Sequence, residues 1–386
     1  MTPAVVVSAK GAARWRQGHP WIYRSDVLTT GRTPAGPVPV TDRSGRFLGQ
    51  ALFSPASEIR LRLLTREEDP LDGAWWRARV EAAAARRADL PPNTTAYRVV
   101  HAEGDGLPSL IVDRYGDVVV AQILSAGLEA IRPLVLEAIQ ETLRPQGVLL
   151  RNDAAVRRHE GLPLEILEAA GSVPDTVEVQ EGGIRYLVSP REGQKTGAFL
   201  DQRENRLLLG RLAQGDGLDV FTYQGLFALH VAGRCPRVLA VDSSTAALAV
   251  ARRNAALNAR DNVAWREANA FDLLRALERE GRTFGTIVLD PPAFAKQKSA
   301  VPRALAGYKE INLRALRLLA PGGVLFTASC SFHVNRAAFL DMLAAAAADS
   351  GRRVVLEQVT GQSSDHPELL TVPETGYLKG ALLRVL

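Results

Sequence analysis

The chain opens with short apolar runs separated by turn residues. Residues 47–53 and 59–64 are two such runs, with Arg60 and Arg62 at alternate positions of the second, and Pro34-Ala-Gly-Pro37 and Thr41-Asp-Arg-Ser-Gly45 precede them. A repeat of two is the side-chain period of a strand, so turns at this spacing predict a small β-barrel. Between Pro70 and Pro92 the pattern turns alanine-rich and helical, a connector closed by Pro91-Pro92-Asn-Thr-Thr95. Strands are then predicted at 96–103, 110–115, 118–124 and 147–151, with a helix over 128–143, which together make a small α+β module. Residues 176–189 hold two extended runs around Gly182-Gly183, the signature of a hairpin.

From about residue 205 strand and helix alternate, as in a parallel sheet with crossovers. The predicted strands are 218–220, 238–241, 263–266, 286–289 and 324–328, with helices such as 246–258 and 305–319 between them and further extended runs at 353–359 and 377–386. The expected organisation is a β-barrel over 1–70, a connector helix and α+β domain over 71–190, and an α/β domain over 191–386. A length of 386 residues fits two or three domains. The sequence shows no internal repeat or low-complexity tract.

Composition narrows the class without naming a function. Apolar residues make up 46% and charged residues 23%, with 32 Gly and 22 Pro, which excludes disordered and fibrous classes. No window approaches the ~18 consecutive apolar residues of a membrane span, and the first residues lack a basic start followed by an apolar stretch; a cytoplasmic address is expected. Cys235 and Cys330 are the two cysteines, too few for a disulfide framework or a cysteine-rich zinc site. The six histidines lack HxxxH or HExxH spacing, so no metal is expected. Formal net charge is +5, and residues 1–66 hold ten basic groups (Lys10, Arg14, Arg16, Arg24, Arg32, Arg43, Arg46, Arg60, Arg62, Arg66) against Asp26, Asp42 and Glu58, a local balance of 10 − 3 = +7. Guanidinium groups on a phosphate-binding face would give this pattern; so would a composition that simply prefers arginine, and both readings stay open here.

In an open parallel sheet, ligands bind beyond the carboxyl ends of the strands. After the first strand of the α/β domain comes Asp219-Val-Phe-Thr-Tyr-Gln-Gly225, and after the second comes Asp242. Gly225 allows close backbone approach, and a carboxylate in the second place can accept from ribose hydroxyls. A single glycine where a dinucleotide enzyme has GxGxxG favours adenosyl-methionine over nicotinamide or flavin. The fourth strand runs into Asp290-Pro-Pro-Ala-Phe294, whose prolines fix the loop and remove two amide donors, leaving carbonyls and the Asp290 carboxylate toward a cleft. Phe294 could stack on a base taken out of its stack, while the intervening Ala293 argues against attack by an exocyclic amine.

Ser329-Cys-Ser331 follows the next strand. Neighbouring strands lie about 5 Å apart, so Asp290 and Cys330 could flank one ligand. Ring carbon 5 of a pyrimidine is a poor nucleophile, and a thiolate adding to carbon 6 makes it enamine-like. An acid on the N3 side stabilises the charge that develops there. An isolated cysteine is usually a small buried hydrophobe; that reading is kept for Cys235, whereas Cys330, just past a strand and between two serines, reads as chemistry. Tyr308-Lys-Glu-Ile-Asn312 starts a helix whose Ile311, Leu316 and Leu319 read as core packing.

Taken together, Gln194-Lys-Thr-Gly-Ala-Phe-Leu-Asp-Gln-Arg203, Phe221-Thr-Tyr-Gln-Gly225, Val241-Asp-Ser-Ser244, Asp290-Pro-Pro-Ala-Phe294, Tyr308-Lys-Glu-Ile-Asn312, Ser329-Cys-Ser331, Asp365-His-Pro367 and Tyr377-Leu-Lys-Gly380 resemble the RlmI-type 23S ribosomal RNA cytosine-C5 methyltransferases, over nearly the whole chain. His19-Pro-Trp-Ile-Tyr23 and Ser54-Pro-Ala-Ser57 resemble that family's PUA segment. The resemblance implies an N-terminal PUA barrel, a central α+β domain and a class I, Rossmann-like α/β domain using S-adenosyl-L-methionine. It implies Cys330 as nucleophile and Asp290 as its acidic partner beside the cofactor, with Phe221, Thr222, Tyr223, Gly225 and Asp242 lining the cofactor site. Asn269 stands where relatives carry an acidic residue and could bond adenine through its amide; Lys195, Asp201 and Gln202 are expected near cofactor or target base. The implied partner is 23S ribosomal RNA, naked or partly assembled, with no membrane partner and a homodimer left open. Two other readings are carried forward: methylation of another RNA atom such as a guanine nitrogen, and a non-catalytic RNA-binding assembly factor.

Overall fold

The computed structural model describes residues 3–29 and 33–386, and Arg32 of the basic segment lies outside them. The chain divides into two compact units. One runs to Val179 and takes in Val188–Leu200 and Ser364–Thr375; the other consists of Gln180–Leu187, Asp201–Ser363 and Gly376–Leu386.

The first unit begins with a six-stranded sheet in the order Trp21–Tyr23, Ile59–Thr65, Phe47–Phe53, Gly36–Thr41, Val5–Val7, Val27–Thr29. Its alternating positions converge on a core of Val5, Val7, Trp15, Ile22, Val38, Val40, Phe53 and Leu61. The strand pattern passes over a helix at Ala9–Arg16, capped by Ser8, whose hydroxyl accepts from Gly11 N at 3.1 Å. A side chain at Gly11 would come within 3.2 Å of Asp26 Cβ, so the residue that weakens the helical signal is the one that lets the helix sit down. Arg60 and Arg62 do lie on a strand, but both are buried, and Arg62 Nη2 donates to Glu160 Oε1 at 2.8 Å. These two arginines therefore add nothing to a basic surface. That surface is left to the exposed Lys10, Arg16, Arg24, Arg43, Arg46 and Arg66, of which Arg24 and Arg46 pair with Glu58 and Asp42.

A five-stranded sheet follows, in the order Glu165–Gly171, Gly147–Asn152, Val118–Ile123, Leu110–Tyr115, Ala96–His101. Helices Gly73–Ala85 and Arg132–Leu143 pack on it through Trp76, Val80, Val135 and Ile139. The single helix expected over 128–143 is two pieces, Ala126–Glu129 and Arg132–Leu143, because Pro133 has no N–H to continue the ladder to the Glu129 carbonyl. Two pieces distant in sequence join this unit through one buried network. Arg98 binds Asp113 in bidentate fashion at 2.7 and 2.8 Å, Thr196 donates to Asp113, and Asp365 Oδ2 accepts from Arg98 N at 2.9 Å.

The second unit is built on seven strands: β1 Gly217–Val220, β2 Val238–Asp242, β3 Val263–Glu267, β4 Phe284–Leu289, β5 Leu319–Ser329, β6 Val354–Thr360 and β7 Lys379–Val385. Their spatial order is β3-β2-β1-β4-β5-β7-β6. Strands β1 to β5 run parallel, and β7 is antiparallel to both β5 and β6. Six helices accompany them: α1 Arg203–Leu212, α2 Leu226–Val231, α3 Thr245–Leu257, α4 Ala270–Arg279, α5 Val301–Leu318 and α6 Arg336–Ser350. The central strands read as unbroken apolar runs because both faces are covered. Leu274, Ile311, Leu316 and Phe339 pack on one face, and Leu209, Phe227 and Val231 meet Val288, Phe326 and Leu382 on the other. Gly182 and Gly183 turn a hairpin between Val177–Glu181 and Ile184–Val188. Asn254 on α3 and the helix's C-cap Asn258, one turn apart, pair with the hairpin's second strand: their Oδ1 atoms accept from Leu187 N at 2.9 Å and Arg185 N at 2.8 Å. Strand order reverses at β1 and β4, the place where such sheets bind ligands.

Candidate active site

The loop after β1 is held in a strained shape. Phe221 and Tyr223 have φ of 68° and 50°, a region that costs a non-glycine residue of order 1 kcal/mol and persists only when its surroundings impose it. Here they do. Thr222 N donates to Val241 O at 3.0 Å, Tyr223 N to Asp242 Oδ2 at 2.9 Å, and Asn254 Nδ2 to Gln224 O at 3.0 Å. Gly225, at φ 84°, is required on two counts, since a Cβ there would lie 2.5 Å from the Trp265 ring.

Asp219, which the sequence reading quoted without a role, lies beneath this loop. It is fully buried, and its Oδ2 accepts from Thr222 Oγ1 at 2.5 Å and Ala228 N at 2.9 Å while Oδ1 has no partner. Burial pushes its carboxyl up to about 7, the carboxylates of Asp290 and Asp242 adding to the rise against those two hydrogen bonds. Asp242 Oδ1 also accepts from Ser244 N at 2.9 Å. Asn269 is exposed and caps α4, its Oδ1 accepting from Phe271 N at 2.9 Å and Asp272 N at 3.3 Å.

Beyond β4, Asp290 is oriented from the protein side. Gln202 Nε2 donates to Asp290 Oδ1 at 2.8 Å, and Gln202 is fixed by Asn205, whose Nδ2 donates to Gln202 Oε1 at 2.6 Å and Gly361 O at 3.0 Å. Asp201 faces another way, its Oδ2 accepting from the Tyr377 hydroxyl at 2.6 Å. Lys195 belongs to the first unit, where it is exposed at φ 56° with Nζ 4.8 Å from the centre of the Phe199 ring.

The loops after β4 and β5 meet. Cys330 is half-buried and its Sγ lies 4.0 Å from Pro291 O. Ser331 Oγ accepts from Ala295 N at 3.1 Å and shares a hydrogen bond with the Tyr308 hydroxyl at 2.9 Å. Tyr308 is fully buried, as expected of core packing, and its hydroxyl additionally ties these two loops together. Phe294 stacks on Tyr308 with ring centres 4.5 Å apart, so one of its faces is taken by the protein. A freer aromatic is Phe332, two residues beyond Cys330 and 56% exposed.

Lys379, quoted in the sequence only as part of a motif, is the other residue missed. It is the cross-strand partner of Ser329 and is buried. Its Nζ donates to Ser331 O at 2.7 Å and Tyr377 O at 2.8 Å.

The arrangement collects Phe221, Thr222, Tyr223, Gly225, Asp242, Asn269, Asp290 and Cys330 at the carboxyl ends of adjacent strands. The carboxylates of Asp242 and Asp290 press electrostatically on Asp219, whose buried Oδ1 has no partner, an arrangement that fits a cationic guest. S-adenosylmethionine, with a sulfonium and an ammonium, is one. Among the described residues no group of three His, Cys, Asp or Glu side chains is placed to hold a metal ion, and no helix is long and apolar enough to cross a membrane.

Comparison with known proteins gives a consistent picture. Residues 5–66 match the PUA-like domain family, and residues 122–383 match the S-adenosylmethionine-dependent methyltransferase family. A ribosomal RNA large subunit methyltransferase I from Shewanella amazonensis is 40% identical over 95% of both chains, and one from Klebsiella pneumoniae is 38% identical over 99% of this chain and 98% of its own. In fold, the chain resembles a SAM-dependent methyltransferase from Streptococcus mutans, with a TM-score of 0.82 at 20% identity over 99% of this chain and all of the other. A methyltransferase solved in complex with SAH superposes with a TM-score of 0.83 at 21% identity over the same shares. With the cofactor-type sheet, its acidic cradle and full-length relatives in agreement, the chain belongs to the ribosomal RNA large subunit methyltransferase I family of S-adenosylmethionine-dependent methyltransferases.

Proposed function

We propose that the chain methylates ring carbon 5 of a cytosine in large-subunit ribosomal RNA, with Cys330 as covalent nucleophile. The observation that carries this reading is the approach of Cys330 Sγ to the Asp290-Pro-Pro loop, 4.0 Å from Pro291 O. Attack of the Cys330 thiolate on ring carbon 6 forms a carbon–sulfur bond and moves the 5,6 electron pair onto carbon 5. Asp290, its rotamer set by Gln202, donates to or hydrogen-bonds the N3 side as charge develops there. When bound, S-adenosylmethionine supplies the electrophilic methyl group. A base then takes the carbon 5 proton, and its electron pair restores the 5,6 double bond as sulfur leaves as thiolate.

Asp242 suits the ribose hydroxyls of the cofactor, Phe221 to Gly225 its flank, and Asn269 its adenine. Asp219 and Asp290 suit its cationic end. Asp201 acts through Tyr377. Ribosomal RNA as partner is supported by the names of the relatives and the PUA-like module, and by Phe332, which offers a stacking face to a neighbouring base.

The test is product mapping. Purified enzyme is incubated with large-subunit ribosomal RNA and methyl-labelled cofactor, and the RNA is digested to nucleosides for mass spectrometry. Label in 5-methylcytidine is expected. Label in guanosine would replace the proposal with attack by a ring nitrogen, and absence of cofactor binding would point to a non-catalytic RNA binder.

The acidic cradle makes a second expectation. With its carboxyl raised to about 7, Asp219 is mostly neutral at pH 5.5 and half ionised at pH 7, so affinity for the cationic cofactor should rise about tenfold over that interval. Calorimetry at the two pH values checks it, and Asp219→Asn should flatten the dependence; a flat wild-type profile removes Asp219 from the site. The same raised value means that the folded apo-protein loses stability as pH climbs from about 4 through 7, because the native state holds that proton longer than the unfolded chain.

A further inference from the structure

Lys379 is a buried lysine for which the reaction outlined above has no use. It stands directly across from Ser329 on the antiparallel pair β5–β7, and its side chain runs along Ser329 to end on the carbonyl of Ser331. Ser329 and Ser331 bracket Cys330, so β7 delivers an ammonium to the short turn of backbone that carries the sulfur. Two carbonyls, Ser331 O at 2.7 Å and Tyr377 O at 2.8 Å, fix its position. Neither carbonyl is a charged partner, and a buried ammonium held by neutral acceptors alone is an expensive arrangement unless an anion is near.

We infer that Lys379 is a positioning residue for the nucleophile: its ammonium, pinned to the carbonyl of Ser331 next to Cys330, keeps that sulfur as thiolate at neutral pH. The inference rests on the reading of Cys330 as nucleophile. It also agrees with the balance of forces on the lysine itself, which burial pulls down to about 8 while Cys330 acts in the opposite direction and Arg336 lowers it further. Cation and thiolate favour each other's charged forms, so what Cys330 does for Lys379 the lysine does in return. Of the other ionisable groups nearby, the Tyr308 hydroxyl interacts with Cys330 and is kept neutral by burial, while Arg336 at the start of α6 acts on Lys379, and Asp290 begins the loop that the sulfur approaches at Pro291 O. On ionisation one proton leaves Sγ for water, and the lysine keeps its three.

The experiment reads the thiol without turnover. Full-length enzyme is alkylated with iodoacetamide between pH 5.5 and 9.5, and modification of Cys330 is followed by peptide mass spectrometry; Cys235 is buried and reports separately. Wild-type Cys330 is expected to titrate below the ordinary thiol value of ~8.5. Lys379→Met should raise the midpoint by about one unit, a roughly tenfold slower alkylation at pH 7, while Lys379→Arg keeps the wild-type profile. Lys379→Gln retains a donor to the carbonyls without the charge and serves if the methionine variant fails to fold, as judged by melting and by calorimetric binding of S-adenosylhomocysteine. A folded neutral variant whose profile superposes on wild type overturns the inference. Alkylation needs no RNA, so the answer for Lys379 stands even if product mapping finds a different target atom.

Discussion

Alanine at position 330 abolishes methyl transfer to RNA and leaves cofactor binding unchanged. The expected loss is at least about 10⁴-fold, some 5.5 kcal/mol of barrier, because in the proposed mechanism it is the Cys330 thiolate that turns carbon 5 of a cytosine into a nucleophile. The variant should fold. Cys330 is half-buried at the rim of the sheet rather than in its core, and the Ser331–Tyr308 hydroxyl pair that joins the two loops does not involve the sulfur. Two measurements separate the chemical role from a structural one. Calorimetric binding of S-adenosylhomocysteine should match wild type, and RNA carrying 5-fluorocytosine should form a denaturant-resistant adduct with wild type and none with Cys330→Ala, since fluorine cannot leave as a proton does. Retained transfer in the alanine variant defeats the covalent mechanism and favours the guanine-nitrogen reading, whose nucleophile needs no thiol.

How much of this could be read from the chain is decided by range. The strands β1 to β5 follow from short runs, three to five residues long, between helical segments, and Asp242, Asp290 and Cys330 from standing at or just past their ends. The hairpin follows from Gly182-Gly183. What the sequence hides is partnership across distance. Alternation placed Arg60 and Arg62 on a strand, but only the fold shows that Arg62 faces Glu160, 98 positions away; a charged residue at period two reads as solvent-facing until its partner is known. Asp365 looks like a loop carboxylate, yet its acceptor oxygen serves Arg98, 267 positions upstream. Lys379 meets the Cys330 loop because the last strand of the chain inserts antiparallel between β5 and β6, an insertion that no local pattern announces. Gln202 was placed near the site by its motif, but its role as the donor that orients Asp290 is a matter of geometry.

Arg206→Met or Glu181→Gln, made singly, should lower the stability of the catalytic unit by about 3–5 kcal/mol and its melting temperature by roughly 10 °C. Glu181 is fully buried and Arg206 nearly so; they form two hydrogen bonds at 2.5 and 2.6 Å, with His230 Nε2 3.2 Å from Glu181 Oε1. Removing one partner strands the other without water. Burial pushes the Glu181 carboxyl up, but the Arg206 guanidinium and His230 outweigh it and hold the group at about 2. Since the folded value lies below the ordinary one, the pair's contribution is complete above about pH 4.5 and fades as pH falls toward 2. Thermal melts of wild type and Glu181→Gln between pH 3 and 7 should therefore converge at the acid end; parallel curves mean that the ion pair is not the source of the difference. The effect reaches the chemistry through α1. Arg206 lies one turn into that helix, Gln202 caps its start, and Gln202 holds Asp290. A folded Arg206→Met enzyme, assayed well below its melting point, should thus lose kcat through a loosened Asp290 while its affinity for S-adenosylhomocysteine changes little, and the combined Glu181→Leu, Arg206→Met variant, with no charge left stranded, should recover most of the stability.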